Sequence, residues 1–187
     1  MTEQHPPLLD DLHSQRLYLR APRHNDVPML LAAVETSFAE LHPWMEFAVT
    51  MPTAEISHDF IVNSAQQRAA GETYNFFCFL RDSQTFIGAC GMHHIDWSVP
   101  AVEIGYWLHT AHYHQGYATE IAETLTTAAF THFGAMRVEI RCDARNVNSR
   151  RVAERAGFQL EGILRQQARD NDGNLRDTCV FARLCGE

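Results

Sequence analysis

The chain has 187 residues, of which 45% are hydrophobic, 20% charged and 10% aromatic. This composition is typical of a folded globular protein and excludes the disordered and fibrous classes, and the length predicts a single domain. Fifteen Lys and Arg against 23 Asp and Glu give a formal charge of −8. Because no general basic field is present, nucleic acid is disfavoured as a partner.

Membrane and export signals are also missing from the sequence pattern. No apolar stretch approaches the length that spans a bilayer, and the N-terminus has early acids and two prolines instead of a basic segment followed by an apolar run. We therefore expect no membrane partner and a cytoplasmic location. The five cysteines are odd in number and lack CxxC spacing, which favours reduced thiols over a disulfide framework or structural zinc.

The first half of the chain predicts strands on either side of two helices. One helix starts near Asn25 and ends before Pro43, and the next has Thr53 as its N-cap and Gly71 as its end. Residues 1–14 are expected to form a loose extension. The predicted strands cover 16–20, 74–80, 86–95 and 102–108, and the short turns between the last three indicate an antiparallel meander.

The second half alternates helices and strands. A helix follows Gly116 and stops at Gly134, and a short helix covers 147–156. Predicted strands cover 136–142, 158–166 and 177–184. Together the patterns predict an α/β or α+β fold in which about four helices flank a sheet of about seven strands.

The segment 102–120 predicts an anion site. A strand ends in a loop that contains Gly116 and leads directly into a helix, so unpaired backbone N–H groups should gather there. The residues concerned are Gln115, Gly116, Tyr117, Ala118 and Thr119, and phosphate is the most natural ligand. An ordinary helix start with a turn glycine is the alternative. The loop lacks the Lys-Ser/Thr of a nucleotide P-loop and the three glycines of a dinucleotide site, so neither an NTPase nor a dehydrogenase is indicated.

A second motif, Asn146-x-x-Ser149 followed by Gly157-Phe158, comes after the strand at 136–142. With the loop Tyr113-His114-Gln115-Gly116-Tyr117-Ala118, it resembles the GNAT acetyltransferase superfamily, specifically the RimJ/RimL type of protein N-terminal acetyltransferase. That family's loop reads Arg/Gln-x-x-Gly-x-Gly/Ala, so Tyr113 departs from it at the first position. The resemblance extends over about residues 16–184.

The resemblance implies a GNAT-like, mixed and largely antiparallel twisted sheet, splayed between the fourth and fifth predicted strands. It implies acetyl-CoA as a cosubstrate in that gap, with pantetheine hydrogen bonded along the strand 102–108. The implied cofactor-binding residues are Trp107, Leu108, Gln115, Gly116, Tyr117, Ala118, Thr119, Asn146 and Ser149. The implied partners are acetyl-CoA and an amine acceptor such as a ribosomal-protein N-terminus, and a homodimer is compatible with the sequence.

Two residues are candidate catalytic groups. Strand alternation places Glu103 on one face with Gly105 and Trp107, where apolar surroundings would raise its pKa and suit it as a base. An exposed strand carboxylate is the alternative. The resemblance places Ser149 near the cofactor sulfur, where its hydroxyl would assist the leaving thiolate; a helix N-cap is the alternative. Asn146 is equally typical of a residue in a turn and of a residue that contacts the cofactor.

Cysteine and loop-histidine chemistry is less favoured. Cys142 precedes Asn146, but no paired histidine is evident, so we expect a buried strand residue rather than an acyl-cysteine nucleophile. His109, His112 and His114 form HxxHxH, yet metal ligands need convergent geometry and usually a further ligand. We therefore predict no metal site.

Five residues are candidates for the part of the site that binds the amine acceptor. His93 and His94 end a strand near the expected acceptor cleft, where they would relay protons or simply face solvent. Trp44, Trp97 and Trp107 are candidates to shape the acceptor site, and core packing is the alternative, above all for Trp107.

The predicted function is acetyl transfer by direct attack of a primary amine on acetyl-CoA. A protein α-amine of the ribosomal-protein-serine/alanine type is favoured because its pKa, near 7.7 to 8.0, leaves far more of it neutral than a lysine, whose pKa is near 10.4. Polyamine, aminoglycoside, dipeptide and amino-acid acceptors remain open. A non-catalytic CoA-binding module and a metal-binding regulator are alternatives from other functional classes.

Overall fold

The computed structural model describes residues 9–187, which form one eight-stranded sheet with helices on both faces. The strands are β1 (Asp11–His13), β2 (Leu17–Arg20), β3 (Tyr74–Leu80), β4 (Phe86–Asp96), β5 (Ala101–Leu108), β6 (Arg137–Asp143), β7 (Gln159–Arg169) and β8 (Leu175–Leu184). The α-helices are α1 (Val27–Leu41), α2 (Ala54–Ala70), α3 (Tyr117–His132) and α4 (Val147–Arg155). The predicted fold class is confirmed.

Local capping chemistry sets the helix ends. The Thr53 side chain accepts a hydrogen bond from the Ile56 N–H at the start of α2, and Gly71 ends that helix in the left-handed conformation with φ +73°. At the start of α4, the Asn146 side chain accepts from the Ser149 N–H. Both ends of α2 are those that the sequence predicted.

The alternation of β5 divides the core between the two faces of the sheet. Ile104 belongs to a buried cluster that includes side chains of α3 and α4, such as Ile121 and Ala153. Trp107 belongs to a second buried cluster that includes Val34 of α1 and Ile61 of α2. Consequently α1 and α2 cover one face, and α3 and α4 cover the other.

The sheet order is β1-β2-β3-β4-β5-β6-β8-β7, and only β5 and β6 are parallel neighbours. Their pairing covers Ala101–Glu103 opposite Arg137–Glu139 and goes no further. Beyond Glu103 the two strands diverge and leave a gap inside the sheet. The splay predicted between the fourth and fifth predicted strands is therefore confirmed.

One strand that the sequence did not predict, β1, lies in the region predicted as a loose extension. Asp11–His13 pairs with β2, and Leu12 is only 7% exposed, so the prediction is wrong for these residues. The physical reason is that the strand is held by pairing with β2 and by the burial of Leu12, and three residues are too few to show a period. Residues 1–8 of the predicted extension lie outside the described residues. In the described part of the chain, no helix is both long enough and apolar enough to cross a membrane.

Candidate active site

The open edge of β5 faces the gap with alternate backbone groups. His109 N donates to Ile87 O of β4 at 2.8 Å. In an antiparallel ladder the direction of the backbone groups alternates, so Trp107 points its N–H and C=O at β4, and Tyr106 and Leu108 point theirs into the gap. A strand-like ligand in the gap would therefore bond to Tyr106 and Leu108.

Trp107, one of the cofactor-binding residues that the resemblance implied, directs its backbone groups at β4 and away from the gap. Its carbonyl oxygen lies so close to Gly88 that a Cβ there would collide with it, and its indole is 9% exposed on the α1 and α2 face. The core alternative for Trp107 is the one the structure supports. Leu108 keeps its backbone groups on the gap side.

The predicted anion loop leads into a helix N-terminus that has no side-chain cap. Gly116 is the N-cap of α3 with φ +81°, and no side chain caps the helix there. Within the described residues, the N–H groups of Tyr117, Ala118 and Thr119 therefore lack partners inside the helix and point out of its positive end. A side chain at position 116 would be strained by this φ, which explains the glycine.

Arg16 adds a positive charge to this loop that sequence reasoning missed. Its Nη1 donates to Gln115 O at 3.0 Å, and its guanidinium lies 4.5 Å from the centre of the Tyr117 ring. Its Nε donates to Glu120 Oε2 at 2.6 Å, which anchors the side chain. The contact joins residues 99 positions apart, so no local sequence signal could have found it. Arg16 supplies a cation near a loop whose first position is Tyr113 rather than Arg.

Ser149 lies on the first turn of α4 beside Tyr106 of β5. Its Oγ is 3.4 Å from the Tyr106 hydroxyl, and its N–H donates to Asn146 Oδ1 at 3.0 Å. Asn146 is the N-cap of α4, so the alternative that made Ser149 the cap is wrong. The Asn146 side chain fixes the turn that presents the Ser149 hydroxyl.

Tyr106 is a second group that the sequence did not single out. Burial raises the pKa of its phenol well above the ordinary value, so it stays protonated and can donate a hydrogen bond. Its position became visible only when α4 was packed against the sheet.

Cys142 lies on β6 close to the same serine. Burial raises the pKa of its thiol to about 11, although a hydrogen bond with Ser149 works in the opposite direction. Since the thiolate is the nucleophilic form, little nucleophile is present at neutral pH. The structure agrees with the interpretation of Cys142 as a buried strand residue.

Glu103 lies on the opposite face of β5, at the point where the gap begins. His94 Nδ1 is 3.0 Å from its Oε2, His93 Nε2 is 3.4 Å from its Oε1, and the side chain is 15% exposed. Burial alone would raise the pKa of Glu103, but hydrogen bonds with the two histidines outweigh it and hold the pKa below its ordinary value. The predicted upward shift is wrong, because the surroundings are polar as well as buried.

A distortion of β4 brings both histidines to Glu103. Consecutive side chains of a regular strand point to opposite faces, but the register between β4 and β5 shifts after His93, and His94 has φ +49°. Gly105 makes room for the His93 ring, since a Cβ at Gly105 would lie 2.9 Å from its Cε1. Both histidines therefore lie beside Glu103, at the point where the gap between β5 and β6 begins.

Aromatic side chains and a hairpin line the Glu103 face. Phe47, between α1 and α2, lies 5.8 Å from the Trp107 ring. Across the gap, Asn171 of the β7–β8 turn donates to His42 O at 2.6 Å and Met45 O at 2.9 Å. A cavity of about 140 Å³ lies where the β7–β8 turn meets the segment that follows α1. It is lined by Pro43, Trp44, Arg145, Asp170, Asn171 and Asp172.

Trp97 and the HxxHxH histidines were the remaining candidates for the acceptor site and for a metal site. Trp97 does not shape this site, because it stacks on Phe133 and donates to Gly71 O. Among residues 9–187, the HxxHxH histidines do not bring three ligand atoms together; a potential ligand set forms instead at His93, His94 and Glu103.

A sequence profile described as an acetyltransferase (GNAT) domain matches residues 16–159. The chain belongs to the GNAT acetyltransferase family. It is accordingly an enzyme that transfers acetyl groups to nitrogen, and the gap between β5 and β6, the anion loop and Glu103 together form its candidate active site.

Relatives of this GNAT acetyltransferase include proteins with a named substrate class. It is 32% identical over 133 residues to the probable N-acetyltransferase YjcK of Bacillus subtilis, covering 71% of this chain and 73% of YjcK. It is 27% identical to the ribosomal-protein-serine acetyltransferase of Escherichia coli, covering 91% and 94% of the two chains. The fold is similar to a solved structure of RimL, a ribosomal L7/L12 α-N-protein acetyltransferase in complex with coenzyme A, with a TM-score of 0.86, 25% identity and coverage of 93% and 97%.

Proposed function

We propose that this acetyltransferase moves the acetyl group of acetyl-CoA to the α-amine of a protein N-terminus, by direct attack. The observation that carries the proposal is the division of polar groups between the two faces of β5. An ionised Glu103 lies on one face, and the paired hydroxyls of Ser149 and Tyr106 lie on the other. A proton acceptor and a hydrogen-bond donor are thus available on opposite sides of the gap.

The cosubstrate would be held by backbone groups and one cation. The N–H groups of Tyr117, Ala118 and Thr119, with Arg16 beside them, suit the pyrophosphate. The backbone groups of Leu108 that face the gap suit the pantetheine amides. Gln115 and Gly116 shape the loop, and Asn146 contributes by holding the turn of Ser149 rather than by touching the cosubstrate itself.

In the proposed transfer, the amine nitrogen attacks the thioester carbonyl, a C–N bond forms and the C–S bond breaks. Glu103 accepts the proton that the amine loses, directly or through one water. A backbone N–H on the gap side of β5 hydrogen bonds to the carbonyl oxygen as its charge develops. Ser149, oriented by Tyr106, donates a hydrogen bond to the departing sulfur, which leaves as a thiolate. The thiolate takes up a proton from water to become the CoA thiol, and Glu103 returns the proton of the amine to water. The transfer uses no metal.

The ionisation of Glu103 favours an α-amine as acceptor. Its lowered pKa makes it a weak base, which cannot readily deprotonate an ammonium whose pKa is near 10.4. An α-amine with a pKa near 7.7 to 8.0 arrives largely neutral and needs only a group that takes the proton as the new bond forms. The likeness to ribosomal-protein acetyltransferases supports the same class of acceptor.

The position of Cys142 supports the placement of the cosubstrate sulfur. In the solved RimL complex, coenzyme A is disulfide-linked to a cysteine of that protein. In this chain, Cys142 is a cysteine whose pKa is influenced by the hydroxyl of Ser149, the residue we place next to the sulfur. One end of the pantetheine would therefore lie between β6 and the start of α4.

The test is an acceptor panel read by mass spectrometry and by release of free CoA thiol. It contains peptides that begin with Ser or Ala, the same peptides with blocked α-amines and an internal lysine, a polyamine and an aminoglycoside. We expect acetylation of the free peptides and little of the blocked ones. Acetylation of only the small amines would overturn the acceptor class, and absence of thiol release with every amine would favour a CoA-binding module.

A further inference from the structure

We propose that His93, His94 and Glu103 form a binding site for a divalent transition-metal ion, with Zn²⁺ as the best fit. The three side chains offer two imidazole nitrogens and one carboxylate, and their ligand atoms all lie within 4.8 Å of one another. This ligand set differs from the HxxHxH segment, for which the sequence suggested and then disfavoured a metal.

Each imidazole nitrogen faces its own oxygen of the Glu103 carboxylate, at a distance close to one edge of a tetrahedral site. A zinc ion bound at about 2.0 to 2.1 Å holds its ligand atoms about 3.3 Å apart. His93 Nε2 and Glu103 Oε1 are 3.4 Å apart, and His94 Nδ1 and Glu103 Oε2 are 3.0 Å apart. All three ligand atoms lie within 4.8 Å of one another, so the two histidine nitrogens are already near their positions in such a site. The His94 side chain is 78% exposed, so few neighbouring atoms restrict the rotation of its ring.

The backbone holds two of the three ligands in place before any ion arrives. The irregularity after His93 puts two consecutive side chains on the same face of β4. Gly105 leaves the space that the His93 ring occupies. Glu103 is the least exposed of the three, and the bonds it makes hold its carboxylate between both rings.

The chemistry of these donors selects the ion. Imidazole together with a carboxylate suits zinc, whereas magnesium and calcium prefer oxygen ligands. Three protein ligands leave a fourth position open to water, as in zinc sites that are not purely structural. Arg141 Nε, 3.7 Å from Glu103 Oε2, opposes a cation, but it lies closer to Glu139 Oε2, at 3.2 Å, and can remain there.

A bound ion would inhibit the proposed transfer rather than assist it. The carboxylate that ligates the metal is the group that we propose takes the proton of the amine, so metal and proton would compete for the same oxygens. The metal site itself does not depend on the proposed function, because its three residues and their geometry hold for any reaction.

The binding test uses the whole chain, freed of any histidine tag, without acetyl-CoA. Zn²⁺ affinity is measured by competition with a chromophoric chelator, and Co²⁺ is added as a spectroscopic probe of coordination geometry. We expect one tight site with a tetrahedral Co²⁺ spectrum. Loss of even an outer-shell partner of a ligand costs about 10- to 100-fold in metal affinity, so His94→Ala should cost at least as much. His132→Ala, which removes a histidine on α3, is the matched control.

A second variant separates geometry from ligand count. Gly105→Ala keeps all three ligands but displaces the His93 ring, and it should also weaken Zn²⁺ binding. Binding that is unchanged in His94→Ala, or weakened equally in His132→Ala, would overturn the site, as would the absence of 1:1 binding in the wild-type protein. Bound Zn²⁺ that leaves acetyl transfer undiminished would support the metal site and contradict Glu103 as the base.

Discussion

The proposed base is best tested by Glu103→Gln, which keeps the size of the side chain and loses its basicity. The ordinary pKa of this carboxyl is 4.5, and hydrogen bonds with His93 and His94 hold it lower. Even with the ordinary value, only about 1% of it would be protonated at pH 6.5. Glu103 is therefore ionised throughout the neutral range, and its own titration should not appear in a pH profile above pH 5.

The amine should then account for the pH dependence. With an α-amine pKa of about 7.7 to 8.0, the neutral fraction rises roughly 15- to 25-fold between pH 6.5 and 8.5. We expect kcat/KM of the wild-type enzyme to rise by the same factor. In Glu103→Gln the whole profile should fall by about 10²-fold, or about 2.7 kcal/mol of activation free energy, and keep its shape.

The assay measures CoA thiol release at saturating acetyl-CoA with two peptides whose α-amines differ in pKa. In both enzymes, the pH at which kcat/KM rises should be higher for the peptide whose α-amine has the higher pKa. Glu139→Gln is the matched control, because Glu139 is the register partner of Glu103 on β6 and bonds to the same Arg141. A rise in kcat/KM between pH 5 and 8 whose midpoint is the same for both peptides, and which is absent in Glu103→Gln, would refute the lowered pKa of Glu103. A wild-type rate in that variant would refute the base.

Three further predictions concern the cosubstrate side of the gap. CoA at about 100 times its Kd should stabilise the wild-type protein by about 2.7 kcal/mol, which raises its Tm by roughly 5 to 10 °C. In thermal denaturation, Gly116→Glu should abolish this rise in Tm. The control Gly134→Glu, which also replaces a glycine with positive φ, should keep it. Ser149→Ala should lower kcat more than it weakens CoA binding, and Cys142→Ala should keep most activity; an acetylated Cys142 in single-turnover mass spectrometry, with an inactive alanine variant, would replace direct transfer by a two-step route. Asn146→Ala should lower the free energy of unfolding by about 1 kcal/mol, and Asn146→Asp should restore most of it; an unchanged denaturation midpoint in the alanine variant would contradict the cap.

The parts of the site that are encoded locally could be predicted from the sequence. Thr53 and Gly71 delimit α2 because capping needs only neighbouring backbone groups. Alternation along β5 placed Glu103, Gly105 and Trp107 on one face for the same reason. The glycine-bearing loop before α3 was predicted from three features that are close together in the chain: a strand, a glycine and a helix start.

The parts that depend on distant contacts or on a broken period could not be predicted. Strand alternation assigns His93 and His94 to opposite faces, and the shift after His93 that unites them has no local signature. The pKa of Glu103 follows from that shift, so the expected direction was wrong. Tyr106 meets Ser149 across 43 positions of sequence, and only the packing of α4 against the sheet reveals the pair.

The short pairing of β5 with β6 has a consequence for the protein without its cosubstrate. A sheet normally has two edges, but the divergence after Glu103 creates two more in its interior, one on each strand. Free strand edges present unsatisfied N–H and C=O groups and invite pairing with other chains. In the proposed reaction, pantetheine lies along β5 as a substitute strand and covers one of these edges. Catalytic turnover would then also be a cycle of sheet completion and reopening, and the protein should be least prone to self-association while its cosubstrate is bound.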